Sequence, residues 1–180
     1  MILKTINTGQ IILINMLLII LWHLIVLFAC RSIKNKAFFS PKKFLYVPRK
    51  WEASGNFYVK NLKIKKWKDK LPQYVAKNGF SKKNLQSLTK LSPEYIDRFI
   101  LETCRAEWNH VICCMYFVIS FVINPFYYAV IFSLIPIIAN IPFIFIQRYN
   151  RIRLLKLKRK AKINFAKEFA NPTWFFSHIC

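Results

Sequence analysis

Glycine is almost missing from this 180-residue chain, with three in all, and acids are scarce: seven Asp and Glu stand against 29 Lys and Arg. Neither a GxxxxGK[ST] phosphate loop nor a GxSxG nucleophile elbow occurs, and no HxxxxD acyltransferase pattern is present. The five cysteines, Cys30, Cys104, Cys113, Cys114 and Cys180, are odd in number and have no CxxC spacing. That excludes a disulfide framework and a zinc site. A net charge of +22 often points to nucleic acid, but no helix-turn-helix, zinc-finger or RNA-binding signature accompanies it. Nucleic acid is therefore not the expected partner.

What the chain does have is apolar length, with 55% hydrophobic residues. Residues 111–146 form a 36-residue block without a formal charge, interrupted by Asn124-Pro125. A membrane span needs about 20 apolar residues, so two antiparallel segments are expected on either side of that turn. Residues 11–30 form another uncharged run in which only Asn15 and His23 are strongly polar. Its length, and the lack of a small-residue cleavage pattern after Arg31, argue for an uncleaved transmembrane helix rather than a signal peptide. His23 is then an interhelical polar contact. The expected fold is an all-α integral membrane protein, with an N-terminal transmembrane helix, a C-terminal helical hairpin and a basic cytoplasmic segment between them.

By length the chain reads as a single membrane domain over residues 1–180. Its parts are a transmembrane helix at 11–30, a basic segment at 31–92, a helix entering the membrane at 93–123, a return helix at 126–146 and a basic tail at 147–180. One Lys or Arg precedes the first span, 19 lie in residues 31–110 and nine follow residue 146. Because the Lys/Arg excess marks the cytoplasmic side, the basic loop and the C-terminus are expected inside. The N-terminus and the Asn124 turn are expected outside, in a multi-pass protein of the cell membrane. Basic residues 31–50, with Pro41 and Pro48, suggest a linker lying on anionic lipid. Residues 57–67 alternate apolar and basic side chains over Leu62–Lys65 and suggest a short strand or extended segment. Asn78-Gly79 reads as a break, and Ser81 as the cap of a short helix.

Ser92-Pro93-Glu94 carries an N-cap, a first-turn proline and a first-turn acid, and no breaker follows until Asn124-Pro125. One helix of about 46 Å is expected over 93–123. Arg98, Glu102, Arg105 and Asn109 share one face at salt-bridging distances, and Thr103, Glu107, His110 and Cys114 share another. Residues 111–123 reach only about 20 Å, short of a bilayer core, which draws Glu107 and His110 to the interface. Ionisable groups at that depth are candidates for function. A lone Glu107-x-x-His110 is not a metal site, since di-iron bundles need two such motifs and further carboxylates. In the return helix Pro136 and Pro142 should kink the chain, and Asn140 serves as interhelical glue or as a site residue. Trp108 and Tyr149 fit an aromatic belt near the inner boundary. Beyond it Gln147, Arg148, Asn150, Arg151 and Arg153 crowd planar donors suited to carboxylate or phosphate into seven residues.

The segments KKWKDKLP (65–72), FILETCRAEWNH (99–110) and IIANIPFIFIQRYNRIRLL (137–155) resemble the glycosyl-4,4'-diaponeurosporenoate acyltransferases, small membrane enzymes of staphyloxanthin-type carotenoid synthesis. The resemblance implies transfer of a fatty acyl chain to a sugar hydroxyl of a glycosylated carotenoid. Substrates are then that carotenoid and an activated acyl donor, with no cofactor; partners are the lipid bilayer and other carotenoid-pathway enzymes. Acyl transfer to an alcohol needs a base for the hydroxyl proton and donors for the developing oxyanion. His110 suits the first role with Glu107 orienting it, and Arg148 or Asn150 suits the second. Arg105, Asn140, Gln147, Arg148, Asn150 and Arg151 are the expected substrate-binding residues. The rival function is a non-catalytic basic anchor or assembly subunit that binds anionic lipid and pathway enzymes.

Overall fold

In the computed structural model the described residues are 7–34, 37–71 and 93–169, with side chains described to residue 160. They form helices and turns and, among them, no strand. Helix α1 is Thr8–Ser32; a 3-10 turn at Lys50–Gly55 leads into the short helices α2 (Asn56–Lys60) and α3 (Ile64–Trp67). Helix α4 is Pro93–Cys114, α5 is Tyr116–Ile123 and α6 is Phe126–Phe169. The Asn78-Gly79 break, the Ser81 helix and the Ser92 cap lie outside the described residues. By length and composition three helical stretches suffice to cross a membrane: Thr8–Ser32, Glu94–Ile123 and Phe126–Lys160.

Where the length suggests one domain, the chain gathers into two compact units, Met1–Val47 with Leu101–Arg148 and Pro48–Ile100 with Tyr149–Cys180. In the first unit α1 buries a stripe of Ile11, Asn15, Ile19, Val26 and Cys30, spaced at helical intervals. Much of the rest of α1 is apolar and exposed, Leu13 and Phe28 each at 61%, a surface suited to lipid. Ile11 and Ile19 pack with Tyr116 and Phe132.

A polar lock sits inside this apolar packing. Asn15 Nδ2 donates to Asn124 Oδ1 at 2.8 Å, and Asn124 Nδ2 returns a bond to Asn15 Oδ1 at 2.8 Å. Tyr116 adds its hydroxyl to Asn15 Oδ1 at 3.2 Å. All three side chains are buried, so each polar group needs a protein partner. The Asn124 turn expected from the sequence is present, with Asn124 in extended conformation between α5 and α6.

The expected single helix over 93–123 is interrupted at Met115. The Ile112 carbonyl accepts from Met115 N at 3.0 Å and from the indole Nε1 of Trp22 at 3.1 Å. A side chain inserted on the helical ladder converts it locally to the tighter i to i+3 pattern. Pro136 and Pro142, by contrast, lie within one continuous α6 that runs past the expected boundary at residue 146.

Residues 37–47, expected as part of a linker on anionic lipid, pack into the first unit. Three successive turns bury Phe39 and Tyr46, at 1% and 2% exposure, beside Cys30 and Cys104. Phe38 and Phe39 meet Trp108 edge to face at 5.7 and 6.3 Å, so Trp108 packs on this loop as well as suiting an interface.

The second unit corrects the expected strand at 57–67, which folds as α2 and α3. Alternation over four residues is too short to define a period, and the connection takes Lys63 at φ 47°, outside the extended region. Tyr58 and Ile64 are fully buried, and Tyr149, expected in an aromatic belt, is buried at 3% with its ring 6.1 Å from that of Tyr58. Ile96 and Ile100 of α4 pack on Leu154 of α6, and Asp97 pairs with Lys158.

Candidate functional site

In the first unit, four helical positions from three separate stretches of sequence meet around Asn140. His23 Nδ1 on α1 lies 2.8 Å from the Ile19 carbonyl. A carbonyl only accepts, so Nδ1 carries the proton and Nε2 of the neutral ring offers a lone pair. Asn140 Nδ2 lies 3.1 Å from that Nε2 and 2.7 Å from the Pro136 carbonyl. Both partners are acceptors, so both amide protons are used and Oδ1 is turned to His110 Nδ1 at 2.8 Å. The amide oxygen only accepts in its turn, which places a proton on His110 Nδ1, so that in the neutral imidazole the lone pair is on Nε2. Phe143 stacks on the His110 ring at 4.9 Å and 11°, holding its plane.

This arrangement changes the role expected of Asn140. Its amide does not bond either carbonyl whose helical donor a proline removes; it bonds the carbonyl of Pro136 itself and joins two histidines. His23 is the functional candidate that the sequence undervalued. Its position inside an apolar run signalled an interhelical contact, but nothing local named the partner 117 residues away.

Glu107 does not orient His110, as the sequence suggested. Among the described residues no hydrogen bond joins them; Glu107 Oε1 instead meets Arg148 Nη1 at 2.7 Å. The carboxylate side chain is 2% exposed and the guanidinium 11%. A carboxylate that deeply buried requires a countercharge, and the Arg148 guanidinium provides it. Arg148 Nη1 also donates to the Leu45 carbonyl at 2.9 Å, and Nη2 to the Val47 carbonyl at 3.2 Å. Arg148 thus clamps the loop of residues 37–47 within this unit.

The remaining candidates divide between the units. Arg105 is engaged internally, with Nη1 on Glu102 at 3.3 Å, Nη2 on the Ile33 carbonyl at 3.4 Å and its guanidinium 5.0 Å from the Phe39 ring centre. Gln147 is half-buried and forms no side-chain hydrogen bond among the described residues. It stands seven residues beyond Asn140 on α6, which places both on one helical face. In the second unit Arg151 is 1% exposed and Asn150 half-buried.

Comparison with known proteins adds an independent line. A family model described as glycosyl-4,4'-diaponeurosporenoate acyltransferase matches residues 41–160. Proteins of that name from Staphylococcus aureus, of strain bovine RF122 / ET3-1 and strain Newman, are 32% identical over 127 residues, covering 69% of this chain and 74% of theirs. No solved structure matches the chain at a significant level.

Proposed function

The chain belongs to the glycosyl-4,4'-diaponeurosporenoate acyltransferase family, and from that premise we propose that this acyltransferase moves a fatty acyl group from an activated donor to a sugar hydroxyl of glycosyl-4,4'-diaponeurosporenoate at the membrane. The observation that supports a mechanism is the His23–Asn140–His110 chain, because it holds the proton of the neutral His110 ring on Nδ1 and so offers Nε2 as the basic nitrogen of an oriented ring. In the proposed reaction the acceptor hydroxyl gives its proton to His110 Nε2 while its oxygen attacks the acyl carbonyl carbon. The new C–O bond forms, the tetrahedral intermediate collapses, and the leaving group departs with the proton returned by His110. Gln147, on the Asn140 face of α6 with its amide unengaged among the described residues, is the candidate donor to substrate oxygen. Arg148, with both terminal nitrogens bonded within the unit, is better suited to hold the fold of the site.

The test is co-expression in a host that makes glycosyl-4,4'-diaponeurosporenoate, followed by mass analysis of the pigment. The expected product is heavier by one fatty acyl group. An acceptor of unchanged mass beside accumulated protein would overturn the reading in favour of a non-catalytic anchor.

For topology we propose a three-span protein of the cell membrane with the N-terminus and the α5–α6 turn outside. Support comes from three helices of sufficient length and from the 1, 19 and 9 partition of basic residues. In a cysteine-free background, an impermeant maleimide applied to intact cells should label Tyr127→Cys, at a side chain 71% exposed next to the turn. It should leave Lys60→Cys and Asn164→Cys unlabelled. Labelling at either of the last two positions would reverse or break the assignment.

A further inference from the structure

The second unit contains a cleft of about 430 Å³ that the acyl-transfer chemistry above does not use. Four cations line it, Lys65, Lys68, Arg153 and Lys156, against a single carboxylate, Asp69. That carboxylate is already engaged, with Lys68 Nζ 2.9 Å from each of its oxygens. Lys65, Arg153 and Lys156 are exposed and have no carboxylate partner among the described residues. Three cations gathered on one concave surface repel each other, and the repulsion is relieved by a bound polyanion.

The cleft has features beyond general surface basicity. Arg153 stands over the ring of buried Tyr149, 5.6 Å from its centre, a contact that steadies the guanidinium through the ring face and keeps its N–H groups for a ligand. Part of the lining is a strap with three successive residues at positive φ, Ala53 at 45°, Ser54 at 56° and Gly55 at 95°. Non-glycine residues are strained there by the clash of Cβ with the following carbonyl, and such strain persists only where the surroundings impose it. Here they do. Glu52 is fully buried and accepts from the Tyr58 hydroxyl at 2.5 Å and from Arg49 N, which anchors the strap on the preceding side. Gly55 is buried, and a Cβ there would meet Ile152 at 3.4 Å and Tyr149 at 3.8 Å, which fixes the other side. The result is a held strap whose Ser54 and Asn56 line the cleft together with the cations.

We infer that this cleft is a phosphate-ester site. A phosphate ester carries one charge as a diester and up to two as a monoester, on tetrahedrally arranged oxygens that three unpaired cations can approach from different sides, which the planar group of a carboxylate does not offer. The volume suits a small polyanion and excludes a nucleic-acid duplex. Two sources share this chemistry: the phosphopantetheine arm of a thioester-activated acyl donor, and the headgroup of an anionic phospholipid. The first source deepens the acyltransferase reading and rests on it; the site itself does not.

The experiment uses the full chain in nanodiscs and reads binding, not turnover. In discs of phosphatidylcholine alone, calorimetric titration with coenzyme A should show saturable binding if the donor arm is the source. In discs doped with phosphatidylglycerol, native mass spectrometry should show retained phosphatidylglycerol if the headgroup is. For whichever probe binds, Arg153→Ala should weaken it about tenfold, and the combined Lys65→Ala, Arg153→Ala and Lys156→Ala change about a hundredfold or more. A control removing Lys42, Lys50 and Lys60, all exposed and outside the cleft, should leave affinity within about twofold. If the triple variant does not accumulate, Lys65→Gln and Lys156→Gln, at exposed side chains, report the same loss singly. Binding of neither probe, binding indifferent to the cleft residues, or an equal loss in the control would overturn the proposal. A protein that binds coenzyme A through these residues yet acylates nothing leaves the cleft standing and sinks the proposed reaction instead.

Discussion

Replacing His110 with alanine should cut acyl transfer by a factor of about 10² to 10⁴ while the protein still inserts and accumulates. The size of the effect follows from the loss of the nitrogen that the Asn140 network leaves free to take a proton in the proposed reaction. The preserved fold follows from the hydrogen-bond and ring partners of His110 among the described residues, one amide oxygen and the face of Phe143, neither of them a buried charge that removal would strand. Asn140→Leu gives the companion result. It leaves His110 in place but removes the bond that keeps the proton on Nδ1, so kcat should fall with little change in the acceptor KM. Purified protein in nanodiscs, assayed for initial rate against acceptor concentration, measures both. A His110→Ala protein that accumulates normally and acylates at the unaltered rate would rule out the base assignment.

Glu107→Ala should act on stability first. Removing one partner of a buried ion pair strands the other charge, at a cost of about 3 to 5 kcal/mol. The stranded group here is Arg148, which also holds the carbonyls of Leu45 and Val47, so the loop of residues 37–47 should loosen together with the pair. Lower accumulation and a lower unfolding midpoint in detergent are expected, with faster proteolysis in that loop. Glu107→Leu combined with Arg148→Met should recover most of the midpoint, because neither buried charge remains and the packing volume is largely kept. A Glu107→Ala protein with an unaltered midpoint and lost turnover would instead make the carboxylate a participant in the chemistry.

The contrast between these two residues shows how far the sequence could be read. Uncharged runs located the three apolar helices, and Asn124-Pro125 located the turn, because both are statements about composition over many residues. His110 and Asn140 were legible as polar groups at membrane depth, where each must find a partner. Which partner was not legible. On paper Glu107 is the neighbour of His110 at i+3, whereas in the fold the carboxylate is drawn to a guanidinium 41 residues away because burial demands an opposite charge. The break at Met115 has the same character. Nothing near Met115 predicts it, since the indole on the Ile112 carbonyl comes from Trp22, 90 residues earlier. Residues 57–67 failed for a local reason: helices of five and four residues complete too little of a turn pattern to outweigh a brief alternation.

The reciprocal Asn15–Asn124 pair makes the first helix non-interchangeable. Sliding α1 by one turn, about 5.4 Å, would separate side chains that satisfy each other and leave their amides facing apolar packing. Asn15 and the half-buried His23 are eight residues apart on α1, so the pin that sets one sets the height of the other against Asn140. A generic polyleucine anchor of equal length would hold the chain in a bilayer but would carry neither the pin nor the histidine. Helix α1 is thus a gauge for the site, fixing the height at which His23 meets Asn140 and, through Asn140, His110.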